Sequence, residues 1–241
     1  MLLAIDAGNS FVKWGYHDGD VWQSQERVSL KAFCIEPLRY LDRPPTRAVI
    51  SNVAGKEFQE ALKCAWPNTD LCWVKAKAQA CGIRNRYDAP AQLGSDRWAA
   101  LIAARAMRSE SCLVISMGTA LTVDMLADSG DYLGGLIAPG PQLMFDALRQ
   151  GTDAIQSLVG NFAPFPRNTA DAVQTGVIAA LLGVIERAEA IFEEKQKGGV
   201  ACILSGGAAN IIAPYLNRAY QLVDNLVLEG LLILAKEEKP T

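Results

Sequence analysis

The sequence predicts an α/β fold in which two halves are written to one plan. Three observations carry this. The N-terminal stretch LLAIDAGNSFVKWGYHDGD has a counterpart about 110 residues later, CLVISMGTALTVDMLADSGD. Each copy runs from a short apolar strand through a glycine turn, an alternating strand and an Asp- and Gly-bearing turn into a return strand. Helical periodicity follows each copy, and strands interleaved with helices are the pattern of mixed α/β sheets.

Taken in order, residues 2–6 form an apolar run bounded by Gly8 and Asn9, a buried strand. Residues 11–17 alternate, Asp18-Gly19 signals a hairpin, and Val21 begins the return strand. RAVISNV, residues 47–53, reads as a strand. Residues 56–65 read as a helix that ends before Pro67, and residues 71–74 as a short strand. Gly94 opens a helix that carries Trp98, Leu101, Ile102 and Met107, with Ser95 as its N-cap. In the second half, residues 113–115, 121–126 and 132–137 are strands around the turn ADSGD. A long helix starts at Thr169, with Val173, Val177, Leu181, Ile185 and Phe192 near helical spacing. GVACILSGG is a strand running into a glycine turn, and NLVLEGLLILAK closes the chain as a helix. These elements divide into an N-terminal lobe, residues 1–110, and a C-terminal lobe, residues 111–241, with the last helix able to return to the first lobe.

Composition narrows the function classes. The 241 residues are 50% hydrophobic and 20% charged, with a formal net charge of -3. No dense Lys/Arg tract is present, which argues against nucleic acid or an anionic membrane as partner. Asp6 interrupts the N-terminal apolar run, against a signal peptide, and the longest apolar stretch, residues 176–185, is too short to span a bilayer. The six cysteines form no C-x-x-C pair and His17 is the only histidine, so free thiols in a reducing cytoplasm are expected rather than a zinc site.

Neither G-x-x-x-x-G-K-[ST] nor G-x-G-x-x-G occurs. A phosphate site would need another geometry, and two hairpins, one from each lobe, supply one. In DAGNS, Gly8 removes a Cβ from the path of a ligand, while Asn9 and Ser10 add donors beside exposed backbone N–H groups. Asp6 suits Mg²⁺, directly or through water, and Lys13 adds a positive charge. The same residues also suit an ordinary hairpin with a polar tip. In the second copy Gly118 and Thr119 take the corresponding place. Gly206 and Gly207, in LSGGAA, let backbone pass an adenosine or its phosphates, or make a plain tight turn. In LGSDRWAA, Asp96 can orient a substrate hydroxyl and take its proton, and Arg97 can hold a carboxylate through its planar fork. Asp96 is equally at home in a first helical turn for electrostatic reasons alone.

DAGNSFVK, YDAPAQLGSDRWAA, GTALTVD, NTADAVQTG and LSGGAA, in this order, resemble the type III pantothenate kinases, and the resemblance spans residues 2 to about 230. Related sequences include accessory factors for virulence gene expression of the Bvg type. The resemblance implies two duplicated ribonuclease-H-like lobes of the acetate and sugar kinase, Hsp70 and actin superfamily, with ATP in the cleft. It implies phosphorylation of pantothenate by ATP, the first step of coenzyme A synthesis, in a cytoplasmic homodimer with a shared substrate pocket. By position, residues 6–13 look like the ATP phosphate segment, Asp96 like the general base and Thr119 like a further ATP contact. Tyr87, Gly94, Ser95 and Arg97 look like pantothenate contacts, and Thr169 like a contact given to the neighbouring subunit's pocket.

One position departs from the family. Where its members write D-x-G-T-A, this chain writes SMGTA, so Ser116 stands in place of a carboxylate similar to a ligand for K⁺ or NH₄⁺. Dependence on a monovalent cation is therefore in question. Two rivals share the fold: a non-catalytic ATP-binding regulator, and a kinase for another small alcohol. Asp96, Arg97 and Tyr87 together favour the enzyme over the regulator.

Overall fold

The computed structural model describes residues 1–41, 45–152, 159–196 and 198–237. By its internal packing the chain divides into two units. Unit 1 holds residues 1–107 together with the segment from Asn225, and unit 2 holds residues 108–224.

Unit 1 is built on a five-stranded sheet. Its strands are β1 (Leu2–Ala7), β2 (Phe11–His17), β3 (Trp22–Ser29), β4 (Arg47–Asn52) and β5 (Asp70–Trp73), in the spatial order β3-β2-β1-β4-β5. The hairpin pairs β1–β2 and β2–β3 are antiparallel, whereas β1–β4 and β4–β5 are parallel. Side chains alternate across a strand, so each strand feeds two faces. Leu3, Ile5, Ala7, Val12, Trp14, Ala48 and Ile50 enter one core with Phe33, Phe58 and Leu62. Phe33 lies on α1 (Leu30–Ile35), which is followed by the short α2 (Pro37–Tyr40), and Phe58 and Leu62 lie on α3 (Lys56–Ala65). A small hairpin, β6 (Gln79–Ala80) with β7 (Ile83–Asn85), leads to α4 (Ser95–Met107).

The second face of this sheet carries α4 and the last described helix, α8 (Leu226–Glu237). Gly230 explains how closely they meet: a Cβ there would fall 1.8 Å from the Ala99 carbonyl oxygen, so only glycine lets α8 touch the α4 backbone. Leu228, Leu231 and Leu234 are buried there, as are Trp98, Leu101 and Ile102. Burial of side chains this size contributes about 1.5–3 kcal/mol each. That apolar stripe draws the chain end back to unit 1. The sequence division near residue 110 left this helix able to return to the first lobe, and in the structure it packs with unit 1.

Unit 2 repeats the sheet. Its strands are β8 (Cys112–Met117), β9 (Ala120–Leu126), β10 (Asp131–Pro139), β11 (Ala201–Ser205) and β12 (Gln221–Leu222), in the order β12-β11-β8-β9-β10. Pairs β8–β9 and β9–β10 are antiparallel, and β8–β11 and β11–β12 are parallel. One face packs against the long helix α6 (Thr169–Glu193), where Val177, Leu181, Ile185 and Phe192 meet Leu113, Ile115, Val123 and Leu204. The remaining helices are α5 (Pro141–Gly151) and the single-turn α7 (Ala209–Ile212). Among the described residues no helix is long and apolar enough to cross a membrane.

Candidate active site

Strand register in unit 1 sets three polar side chains in one row. Asp6 pairs with Lys13 on β2 and with Ser51 on β4. Their neighbours Ile5, Val12 and Ile50 belong to the α1–α3 core, so alternation turns Lys13, Asp6 and Ser51 to the face on which α4 packs.

The start of α4 is fastened to this row. Ser51 is fully buried, and its Oγ lies 3.0 Å from Oγ of Ser95. Ser95 Oγ also accepts the Asn52 backbone N–H at 3.1 Å. The sequence placed Ser95 at the N-cap, and the structure corrects this. The Gly94 carbonyl takes the first helical bond, from the Trp98 N–H at 2.9 Å. A buried hydroxyl and a strand-end N–H both need a partner, and Ser95 satisfies both at once.

Asp96 follows directly. Its Oδ1 accepts the Arg97 N–H at 2.8 Å, and a Cβ on Gly94 would fall 2.5 Å from that same oxygen. Glycine at 94 therefore leaves the space into which the Asp96 carboxylate folds. Arg97 is 7% exposed and donates from Nη1 to the Tyr87 hydroxyl at 2.9 Å, with its guanidinium 5.9 Å from the Tyr87 ring centre. The loop that carries Tyr87 is tied in turn: Asn85 accepts the Tyr87 N–H and donates to the Pro90 carbonyl.

Asp6 bears the electrostatic strain of the arrangement. Burial, and next the nearby Asp96 charge, push its carboxyl up to about 7, against the opposing pull of Lys13 and a hydrogen bond from Ser51. Its Oδ1 is covered from solvent and has no hydrogen-bond partner. An orphaned carboxylate oxygen of this kind fits a hard cation such as Mg²⁺, which takes oxygen ligands. Ahead of it, the β1–β2 turn closes through the Gly8 N–H to the Phe11 carbonyl at 3.0 Å, leaving Asn9 and Ser10 exposed.

Unit 2 brings its own predicted residues together. The Gly118 N–H donates to the Ala120 carbonyl to close the β8–β9 turn, and the Thr119 carbonyl accepts from Gly140. Gly206 has a φ of 105°, and a Cβ there would lie 2.2 Å from the Met117 carbonyl oxygen. The turn of Gly206 and Gly207 thus rests on the β8 end, where the Ala208 N–H also bonds that carbonyl at 3.0 Å. Ser116 lies in register between Thr122 and Ser205, a row of three hydroxyls with no charge. Thr169 is exposed as the first residue of α6, behind the cap in which Asn168 accepts the Asp171 N–H.

Ser51 and Asn52 are the residues that sequence reasoning did not single out. The signal available was a serine directly after the apolar residues of RAVISNV, at the end of a strand otherwise buried.

Comparison with known proteins identifies the family. The model of the type III pantothenate kinase family matches residues 2–190. A type III pantothenate kinase from Nitrosospira multiformis is 44% identical over 250 residues, covering 100% of this chain and 93% of that protein. Among solved structures, a conserved Baf family protein from Campylobacter jejuni aligns with a TM-score of 0.67 at 21% identity, covering 98% of each chain. The polyphosphate/ATP-glucomannokinase of Arthrobacter sp. strain KM aligns with a TM-score of 0.51 at 16% identity over 99% of each chain. These likenesses show that the chain shares its fold with these solved structures. With the family model covering most of the chain and a full-length relative at this identity, the chain belongs to the type III pantothenate kinase family.

Proposed function

We propose that this enzyme transfers the γ-phosphoryl group of ATP to the primary hydroxyl of pantothenate, giving 4'-phosphopantothenate and ADP at the entry to coenzyme A synthesis. The observation that supports it most directly is the paired arrangement of Asp6 and Asp96, with Arg97 and Tyr87 beside them, in a chain of this family.

Asp96 orients the pantothenate hydroxyl and accepts its proton as the oxygen bonds to phosphorus and the bond from phosphorus to the ADP oxygen breaks. Phosphoryl transfer depends mainly on positioning and charge stabilisation, so a carboxylate of ordinary basicity suffices. The Arg97–Tyr87 pair and the backbone at Gly94 and Ser95 receive the pantothenate carboxylate and amide. The hydroxyl of Ser95 is engaged by Ser51 and Asn52, so its contribution to substrate is through the backbone. ATP phosphates are assigned to the turn of Gly8, Asn9 and Ser10 with Lys13, and to Gly118, Thr119, Gly206 and Gly207. Asp6 is the residue to hold Mg²⁺, directly or through water, and that ion would offset phosphate charge. Ser116 supplies no charge for a monovalent cation, and no step depends on one. Thr169 is assigned to the pocket of a second subunit in a homodimer, in the cytoplasm.

The test is ADP release measured with pantothenate against a panel of sugars and small alcohols. Release stimulated by pantothenate alone supports the reading. Equal release with other alcohols would favour the broader kinase, and nucleotide binding without release the regulator.

A further inference from the structure

We infer that Ser51 is a positioning residue for phosphoryl transfer, whose buried hydroxyl fastens the end of β4, beside Asp6, to the first turn of α4 and so sets Asp96 against the sheet. The inference rests on the roles given above to Asp6 and Asp96.

Two bonds fasten the end of β4 to the start of α4, and they meet on one atom. Ser51 stands opposite Asp6 in the β1–β4 register, and its hydroxyl lies 3.0 Å from that of Ser95. Either serine can donate in that contact, since each hydroxyl has one proton to give and two lone pairs to accept. The Asn52 N–H donates to the same Ser95 Oγ at 3.1 Å.

These bonds have mechanical consequences. Serine has a single side-chain torsion carrying its hydroxyl, and Ser51 and Ser95 are both buried, so neither end has room to drift. Asp96 is the residue after Ser95. Its carboxylate is thereby placed relative to the sheet by two short hydrogen bonds rather than by the length of α4. Misplacement of a reacting group by about 1 Å can cost on the order of 10²-fold in rate, so a link this close to both carboxylates is felt in turnover.

The test is the Ser51→Ala variant of the full-length enzyme. Ser95 keeps its bond from Asn52, so the fold is expected to persist with a melting temperature lowered by only a few degrees. The expected result is a fall in kcat of roughly 10-fold, with KM for ATP and pantothenate changed less than about 2-fold. In an Asp96→Asn background the same replacement should cost less than about 2-fold, because the group it positions is gone. Ser51→Cys keeps the volume, weakens the hydrogen bond and gives the same readout should the alanine variant fail to fold. Wild-type kcat in the folded variants overturns the inference. So does a full 10-fold loss that persists beside Asp96→Asn. Wild-type turnover by Asp96→Asn alone would instead remove the base assignment, leaving Ser51 to be judged on the separation of kcat from KM.

Discussion

The five sheet strands given for each unit share one order and one pattern of parallel and antiparallel pairing, yet the middle residue of the equivalent row differs: Asp6 in unit 1, Ser116 in unit 2. Around Asp6 the row holds a lysine and a serine, and the neighbouring helix adds Asp96. Around Ser116 it holds Thr122 and Ser205, both neutral. The turns that follow differ by one residue as well. Ala7 pairs with Val12 across the first, and Met117 with Leu121 across the second. A duplicated scaffold has thus kept its backbone and separated its electrostatics. Unit 1 concentrates ionisable groups at the strand ends, while unit 2 offers glycine backbone and hydroxyls.

The largest expected effect follows from breaking the charged side of that contrast. Asp96→Asn keeps shape and removes the base, and turnover should fall roughly 10²–10⁴-fold, the usual range for such a group. ATP binding, followed by calorimetry, should persist. Wild-type turnover would refute the assigned role. The same variant tests the proposal that subunits share a pocket: mixed with subunits disrupted at Thr169, it should regain activity if one hybrid pocket then holds both native residues. Absence of rescue in demonstrably mixed dimers would count against sharing.

Asp6 gives an effect of opposite sign on stability and on activity. Its carboxyl is raised to about 7, by burial first and by Asp96 second. In the unfolded chain it ionises near 3.8. Between those values the unfolded state loses a proton that the folded state keeps, so this group's contribution to stability is fully present below about 3.8 and declines as pH rises through about 7. Asp6→Asn removes that loss. The ligand-free variant should melt a few degrees higher than wild type at pH 8, with the difference vanishing toward pH 4. Its kcat should fall, since the charge suited to Mg²⁺ is gone. A variant less stable than wild type at pH 8 would show that Asp6 is not held under the strain described.

Gly94→Ala sharpens the comparison within unit 1. The added Cβ would meet only the far end of the Asp96 side chain, which can swing away. The fold should tolerate this, with the melting temperature shifted by no more than a few degrees, while kcat falls about 10-fold through displacement of the carboxylate. Loss of folding with kcat per folded molecule unchanged would show that the glycine serves the backbone instead.

Much of this arrangement was readable in the sequence, for identifiable reasons. The strands that begin at Leu2, Phe11 and Arg47 are short apolar or alternating runs closed by glycine or polar residues, and pattern alone specifies them. The helix at residues 56–65 announces itself through Phe58 and Leu62 on one face. Leu30–Ile35 is a short helix that buries only Phe33, so it offers no periodic stripe to read. The placement of α8 depends on its partner α4, a tertiary choice that Gly230 permits but does not announce. In the site, residue types in LGSDR pointed to Asp96 and Arg97. The destination of the Ser95 hydroxyl could not be read, because Ser51 lies 44 residues away and only the fold brings it near.

The smallest effect tests the neutral row. The resemblance read in the sequence implies a carboxylate, similar to a ligand for K⁺ or NH₄⁺, where Ser116 stands. A hydroxyl can contact K⁺ through oxygen but adds no charge to attract it. Two unit charges about 4 Å apart interact by about 4 kcal/mol at an effective dielectric of about 20, and a neutral oxygen forgoes that term. Activity of the wild-type chain should therefore change less than about 2-fold when K⁺ replaces a bulky organic cation at equal ionic strength, well under the roughly 10-fold that 1.4 kcal/mol of cation attraction would give. Ser116→Asp would restore a carboxylate between Thr122, whose buried Oγ1 has no hydrogen-bond partner, and Ser205. Both hydroxyls can turn to donate to it, so the charge has local support. The variant should acquire a saturable activation by K⁺ that Na⁺ or the organic cation does not reproduce. A large saturable activation of the wild-type enzyme, or none in Ser116→Asp, would show that this row does not govern the cation response.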